Sequence, residues 1–201
     1  NLGTAYELNG DNEKALTWIR EGMKRNPDSH LGTEWLHIEI LKTKIKLVDD
    51  SHALDLAHVI DIPESFVSKP GGTLSFDGIK LSPELIEKAL DYQLLERMVF
   101  VKPKDPVVAD LLFTLSRFIA HRHDVSEALK ILKIAENYGF KNQSLLDDTR
   151  KLYEEKAVPS VGVAIHEFSL VRFAGGWALI ISILFLLLPI LIVTIIKKLK
   201  K

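Results

Sequence analysis

Two histidines and four aspartates lie close together in the stretch DDSHALDLAHVID. Imidazole nitrogens and carboxylate oxygens are common metal ligands, so His52 and His58 could bind a metal ion with nearby carboxylates, namely Asp49, Asp50, Asp55 and Asp61. Two residues six positions apart lie on opposite faces of a helix, however, and one ring would need help from a loop. We therefore interpret the stretch as a solvated polar insertion, with a metal-binding enzyme or sensor as the alternative.

Three further patterns that could carry chemistry are incomplete. His121 and His123 would point apart on a helix, which favours surface histidines. The stretch AIHEF has the His-Glu pair of a zinc-protease motif without the second histidine, and KPGGT lacks the Lys-Ser/Thr that follows a phosphate-binding loop. No Ser–His–acid order stands out either. We therefore expect a protein that is not an enzyme, with no catalytic residues, no metal and no cofactor.

Charge is unevenly distributed along the 201-residue chain. The last 29 residues contain four lysines and no acid, so residues 1–172 hold 22 Lys and Arg against all 27 Asp and Glu, a net charge of −5. Nucleic-acid binding needs a basic face, which this composition does not provide, so we expect no nucleic-acid partner. The chain has no cysteine, which excludes disulfides and thiolate zinc sites.

An uninterrupted apolar segment lies near the C-terminus. Residues 173–196, FAGGWALIISILFLLLPILIVTII, are 24 consecutive uncharged residues. As a helix they would rise about 36 Å, enough to cross a hydrocarbon layer of about 30 Å. Trp177 lies near one end, where indole favours the membrane interface, and lysines follow the other end. We predict a single transmembrane helix over 173–196 in contact with membrane lipid, and a basic tail over 197–201.

The first 27 residues alternate small and large residues at helical intervals. In NLGTAYELNGDNEKALTWIREGMKRNP, the pattern consists of Leu2, Gly3, Tyr6, Gly10, Ala15, Ile19, Gly22 and Pro27. Gly3 and Ala15 would let two antiparallel helices approach closely, while Tyr6 and Ile19 would fill the space around that contact. Gly10 would make the turn between them. The stretch therefore predicts a helical hairpin, with the chain starting inside its first helix.

A weaker copy of the same pattern lies between residues 107 and 140. Its members are Leu112, Leu115, Ser116, Ile119, Ala128, Leu132 and Ala135. Asp105 is placed to cap the first helix, with Pro106 at the first helical position, and Gly139 is placed to end the second helix. His123 and Phe140 depart from the pattern, which favours glycine and proline at those positions. We predict a second helical hairpin here.

Between the two hairpins, one further helix pair is split by an insertion. Apolar spacing predicts one helix over about 31–47, capped by Ser29, and another over about 83–99, capped by Ser82. The insertion, about 48–81, is rich in turn-forming residues.

Two further elements follow from local sequence. GTLSFDGIKL predicts a small β-hairpin with Asp77-Gly78 at its tip. QSLLDDTRKLYEEKA, over 143–157, predicts a terminal helix that covers the last hairpin. Residues 157–172 then form a linker to the membrane.

The intervals in both hairpins resemble those of the tetratricopeptide repeat (TPR), a 34-residue helix–turn–helix unit. The resemblance covers 1–156 as about three repeats, one of them split by the insertion. The stretches EWLHIEIL and ERMVFVKPKDPVVADLLF also resemble an uncharacterised group of bacterial membrane-anchored TPR proteins. The resemblance implies an all-α fold of stacked helix pairs, followed by the transmembrane helix.

In the TPR family the first helix of each pair lines a concave groove that holds protein segments. Carried onto this chain, the groove positions are Thr4, Glu7, Leu8, Asp110, Phe113, Arg117 and His121. For Phe113 and Leu8 the alternative is packing against a neighbouring repeat. These positions do not match the Lys/Asn clamp that some members use to hold a chaperone's carboxylate. The insertion over 48–81 is the other candidate for the partner-binding surface.

The lysines after the predicted span favour a cytoplasmic C-terminus by the positive-inside rule. We therefore expect a single-pass protein of the bacterial inner membrane with its repeats in the periplasm, exported by a signal upstream of the present first residue. The alternative is a tail-anchored receptor with its repeats in the cytosol. In either case we expect a non-catalytic TPR scaffold or adaptor that binds protein partners, and that could be an accessory subunit of a membrane complex.

Overall fold

The computed structural model of the protein describes residues 2–68 and 71–157, and this part of the chain is mainly helical. Its eight helices are α1 (Leu2–Leu8), α2 (Asn12–Arg25), α3 (Glu34–Asp49), α4 (Glu64–Ser68), α5 (Pro83–Phe100), α6 (Pro106–Arg122), α7 (Val125–Tyr138) and α8 (Gln143–Lys156). Two strands, β1 (Leu74–Phe76) and β2 (Ile79–Leu81), form an antiparallel hairpin between α4 and α5. The all-α prediction is confirmed for this part of the chain.

The predicted membrane-spanning helix over 173–196 lies outside the described residues, as do the tail and nearly all of the linker. Among the helices between residues 2 and 157, none combines the length and the apolar character that crossing a bilayer requires.

Helices α1 and α2 form the predicted N-terminal hairpin, and the small residues lie at its closest contact. A Cβ added to Gly3 would lie 2.6 Å from Cδ1 of Ile19, so this position has no room for a larger residue. Ala15 and Ile19 are fully buried and pack with Ile38 and Leu41 of α3. Gly10 has φ of +82°, which favours glycine, and it ends α1 with a tight turn.

The start of α3 differs from the prediction. The predicted helix began near residue 31 with Ser29 as its cap, whereas α3 begins at Glu34 after a short turn over Ser29–Gly32. His30 (φ 50°), Leu31 (φ 60°) and Gly32 (φ 74°) all have left-handed backbone conformations, and such residues cannot belong to a right-handed helix. Thr33 therefore occupies the N-cap position of α3. Its hydroxyl donates to the His30 carbonyl and accepts no capping hydrogen bond from α3.

The later helices begin and end close to the predicted residues, because each has a local capping signal. The Ser82 hydroxyl accepts the N–H of Leu85, and the Asp105 carboxylate accepts the N–H of Val108. Gly139 ends α7 in the left-handed conformation. Helix α7 packs on α6 and on α8, which covers the last hairpin as predicted.

The insertion contains the predicted β-hairpin, with Asp77 and Gly78 both at positive φ in its turn. This hairpin lies against α3, where Phe76 stacks on Trp35 and Asp77 pairs with Lys42.

Our interpretation of the earlier part of the insertion as solvated is wrong. Seven of its apolar side chains are buried: Ala53, Leu54, Val59, Ile60, Ile62, Phe66 and Val67. Five of them lie in irregular backbone, and Phe66 and Val67 lie on the five-residue helix α4, which is too short to show a period. Periodicity alone therefore did not mark them as core residues.

Candidate functional site

The segment 58–64 of the insertion lies along α6 and covers the surface that the sequence assigned to a partner. Asp110 on α6 is only 1% exposed. One oxygen of its carboxylate accepts the Val59 N–H at 2.7 Å, and the other lies 2.7 Å from Nδ1 of His58. A single carboxylate thus satisfies a backbone donor and a ring donor in the irregular stretch that precedes α4.

About two and three turns further along α6, two basic side chains hold the end of the same segment. Arg117 donates to the Ile62 carbonyl at 2.9 Å and to the Glu64 carboxylate at 2.7 Å. His121 Nε2 lies 2.6 Å from the other oxygen of Glu64. Asp110, Arg117 and His121 therefore form a row along α6 that binds both backbone and side-chain groups of segment 58–64.

An aromatic stack lies beside this row. Phe113 is buried, with its ring 4.3 Å from the ring of Phe140 and 5.8 Å from that of His58, in nearly parallel planes. Phe140 is the position where the repeat pattern favours proline, and here it fills the space under the insertion. The ring of Phe113 is therefore packed against the insertion and against the end of its own hairpin, and whether it also contacts a partner stays a prediction.

The contacts with this row favour the ionised forms of two side chains of the segment, His58 and Glu64. The hydrogen bond to Asp110 raises the pKa of His58 above its usual value, and burial opposes that rise. Burial raises the pKa of Glu64, but the hydrogen bonds from Arg117 and His121 outweigh it and the net shift is downward. The row therefore binds its segment most strongly where His58 is protonated and Glu64 is ionised.

The three predicted groove residues of α1 lie in different environments. Thr4 is half-buried, Leu8 is 62% exposed, and the Glu7 side chain is only 7% exposed. Arg97 and Lys44 both donate to one oxygen of Glu7, at 2.6 and 2.8 Å. Of the three, Leu8 is therefore the one most accessible to a partner.

Glu7 also belongs to a buried group of charges that the sequence reasoning did not find. Its second oxygen lies 2.7 Å from Nε2 of His37, whose Nδ1 is 3.2 Å from Glu34. Burial raises the pKa of Glu7, but His37, Arg97 and Lys44 together hold it well below its usual range. Glu34 and His37 are three residues apart in EWLHIEIL, a spacing that predicts contact on a helix, but nothing local connects them to Arg97, 60 residues later.

The two histidines first considered as metal ligands have separate partners. His52 pairs with Asp55 on an exposed loop, whereas His58 is turned towards Asp110. Across residues 2–68 and 71–157, no group of three or more His, Asp or Glu side chains is arranged to hold a metal ion. His121 and His123 point to different helices, towards Glu64 and Glu87 respectively.

A partner could instead reach the surface at the α1–α2 turn. A depression of about 450 Å³ lies between this turn and the end of α3, and its lining includes Gly10, Glu13, Ile45 and Val48. Val48 is 79% exposed, and Leu8 immediately precedes the lining residue Asn9. Exposed aliphatic side chains beside a concavity are typical of surfaces that bind other proteins.

A comparison of the chain with protein-family models, with curated proteins and with solved structures finds no match.

Proposed function

We propose that this protein is a membrane-anchored, non-catalytic scaffold whose TPR-like helical repeats bind protein partners. The observation that supports it most is the equivalence of the two helical hairpins. Gly3, Ala15 and Ile19 of the first hairpin are separated from Ser116, Ala128 and Leu132 of the second by the same 113 positions, and all six are buried. Two hairpins built on one spacing are what a repeat protein requires.

The partner-binding surface of this scaffold is proposed to include the α1–α2 turn. The row of side chains on α6 already holds segment 58–64, whereas Leu8 and Val48 are exposed beside the depression. The exposed side of the insertion, which carries Leu56 at 91% exposure, is the second candidate surface.

Because the chain has no cysteine, single cysteines can carry a photo-crosslinker to each surface. Leu8→Cys probes the α1–α2 turn, Leu56→Cys probes the insertion, and Leu152→Cys on α8 is the matched control. In native membranes we expect a defined protein adduct from Leu8→Cys and none from Leu152→Cys. Adducts from Leu56→Cys alone would move the surface to the insertion. If neither gives a discrete adduct, the scaffold proposal is wrong.

The scaffold is proposed to be anchored through residues 173–196 with its repeats in the periplasm, because four lysines follow that segment. Protease added to spheroplasts should then digest the repeats. If the repeats are protected until the membrane is permeabilised, they face the cytosol, and the protein is a tail-anchored receptor.

A further inference from the structure

The His37 ring on α3 lies between two carboxylates from different helices. Its Nε2 is 2.7 Å from Oε2 of Glu7 on α1, and its Nδ1 is 3.2 Å from Oε2 of Glu34 on α3. All three side chains are almost completely buried. Because water has little access to this chain of hydrogen bonds, the protonation of each member depends on the others.

A neutral imidazole carries one N–H donor and one lone pair, whereas an imidazolium carries two donors. Ionised carboxylates only accept hydrogen bonds. His37 can therefore satisfy Glu7 and Glu34 together only as the imidazolium. When the ring loses a proton, one of the two buried carboxylates faces a nitrogen lone pair, which costs free energy.

Two basic side chains keep Glu7 ionised when His37 loses its proton. Arg97 on α5 and Lys44 on α3 donate to the Glu7 oxygen that His37 does not contact. Arg97 also opposes protonation of His37 by charge repulsion. Glu7 consequently cannot relieve the arrangement by taking up the proton that His37 loses.

On the other side, Glu34 faces His30 in the turn before α3, with Nε2 of His30 3.6 Å from its second oxygen. The other ring nitrogen of His30 faces Glu96 and the hydroxyl of Tyr92 on α5, each at 3.5 Å. Towards α2, the packing of α3 is through apolar side chains. The groups that face His37 directly are therefore Glu7, Glu34 and Arg97.

Few tertiary contacts attach the described residues of α1 to the other helices, so the contact with His37 is one of its main attachments. Leu2 and Leu8 are exposed, which leaves the contact of Gly3 with Ile19, the packing of Tyr6 and the buried ion pairs of Glu7 as its main attachments.

We propose that His37 is a pH-sensitive latch that fastens α1 to α3 and α5 through Glu7, and that loss of the ring proton loosens α1. In the loosened state Glu7 moves away from His37, and the neutral ring donates its single N–H to Glu34. The surface around Leu8, where we place the partner, is then remodelled by pH.

The direction of the effect follows from the surroundings of the ring. Burial lowers the pKa of His37, but the hydrogen bonds to Glu34 and Glu7 outweigh it and raise the pKa above the usual value of about 6.5. The His37 ring therefore binds its proton more tightly when α1 is attached than when α1 has come away. The latch is fully closed below the usual histidine pKa, and it loosens as pH rises through the raised pKa of His37. Over that range, the ratio of loosened to attached α1 rises by up to tenfold per pH unit.

Hydrogen–deuterium exchange of the full chain in mild detergent tests this proposal. After correction for intrinsic exchange, protection of the α1 amides should fall several-fold between pH 6 and pH 9, while protection of α7, which carries no histidine, stays constant. In Glu34→Gln the carboxamide can donate to a neutral ring or accept from a protonated one, so α1 protection should become independent of pH. The control Glu21→Gln, on the exposed face of α2, should keep the wild-type pH dependence.

A pH-independent α1 in the wild type, or an unchanged dependence in Glu34→Gln, would overturn the latch. If Glu34→Gln does not fold, NMR titration of the His37 ring in the wild type decides the question without a variant. A pKa for His37 at or below the ordinary value of about 6.5 also overturns it.

Discussion

The two helical hairpins of this protein share one residue spacing but have different surroundings. At the C-terminal hairpin, α6 is covered by the insertion, and 12 of its 17 residues are buried. At the N-terminal hairpin, Gly3 is the one described residue of α1 that is buried as a whole, and the side chain of Glu7 is also buried. Repeat spacing therefore determines how the two helices of a hairpin pair. Other segments of the chain determine whether the first helix of the hairpin remains accessible to a partner.

Buried carboxylates also differ between the two regions. At the N-terminal hairpin, Glu7 is surrounded by His37, Arg97 and Lys44, which stabilise its charge. Next to the C-terminal hairpin, Asp91 on α5 is mostly buried near Glu87 and Glu127, and its Oδ1 has no hydrogen-bond partner among the described residues. The surroundings therefore lower the pKa of Glu7 and raise that of Asp91, where the attraction of His123 does not outweigh burial.

The largest expected effect is a difference in stability between alanine substitutions at the two apolar groove positions, Phe113 and Leu8. Phe113→Ala should lower the free energy of unfolding by about 3–5 kcal/mol, because it leaves a cavity under the insertion. Leu8→Ala should change it by less than about 0.5 kcal/mol, because the Leu8 side chain is mostly exposed. Urea unfolding followed by circular dichroism measures both. Equal losses would mean that the two hairpins are buried alike.

The next effect concerns the attachment of the insertion to α6. Asp110→Ala should cost about 3 kcal/mol, because it leaves the Val59 N–H and the ring of His58 buried without their acceptor. The loss should be largest below the usual histidine pKa and should shrink as pH rises through the raised pKa of His58, since the pair with Asp110 stabilises the charged ring.

The control for this substitution is Asp55→Ala, which removes the acceptor of exposed His52 and should be close to neutral. A neutral Asp110→Ala would show that the insertion is not held by α6.

A smaller effect tests the close contact in the N-terminal hairpin. Gly3→Ala should cost about 1–2 kcal/mol, because the new Cβ would overlap the Ile19 side chain. Ile19→Val removes the methyl group nearest to that Cβ, so the double variant should be more stable than the sum of the two single changes predicts. Thermal unfolding of the four proteins measures this coupling, and strict additivity would contradict the contact.

The smallest effect tests Asp91, whose Oδ1 has no hydrogen-bond partner among the described residues. Burial, with a smaller contribution from Glu87, raises the pKa of Asp91 to about 6. The folded protein then binds this proton more tightly than the unfolded chain, so stability falls as pH rises from about 4 through 6. Asp91→Asn removes that fall. The change in the free energy of unfolding that it causes should be about 1 kcal/mol more favourable at pH 8 than at pH 4, after allowance for partial solvent screening.

Urea unfolding at the two pH values measures this difference. The same difference in Glu21→Gln, an exposed surface change, should be absent. A stability difference of Asp91→Asn that does not depend on pH would contradict the assignment.

Local signals predicted most of the helices because each acts within a few residues. Ser82 and Asp105 cap α5 and α6, Gly139 ends α7, and Asp77-Gly78 turns the β-hairpin. The prediction failed where a conformation has no local signature. The left-handed turn at His30 and Leu31 is one case, since neither residue type favours that conformation.

The candidate site was less predictable than the fold. Repeat spacing placed Asp110, Phe113, Arg117 and His121 on one side of α6, and all four do face the same segment. The sequence could not show that this segment comes from the chain itself, because the contact joins residues more than 50 positions apart. Whether α6 also binds a partner stays a prediction.

By itself, the sequence determined where most of the long helices begin and end and how the two hairpins pair, because capping and close helix packing follow from local residue spacing. It also determined the absence of cysteine, the acidic character of residues 1–172 and the apolar segment over 173–196. Only the tertiary structure decided that the insertion covers α6, and that His37 lies between Glu7 and Glu34. These contacts depend on the path of an irregular loop and on charges far apart in the chain, and neither leaves a periodic pattern in the sequence.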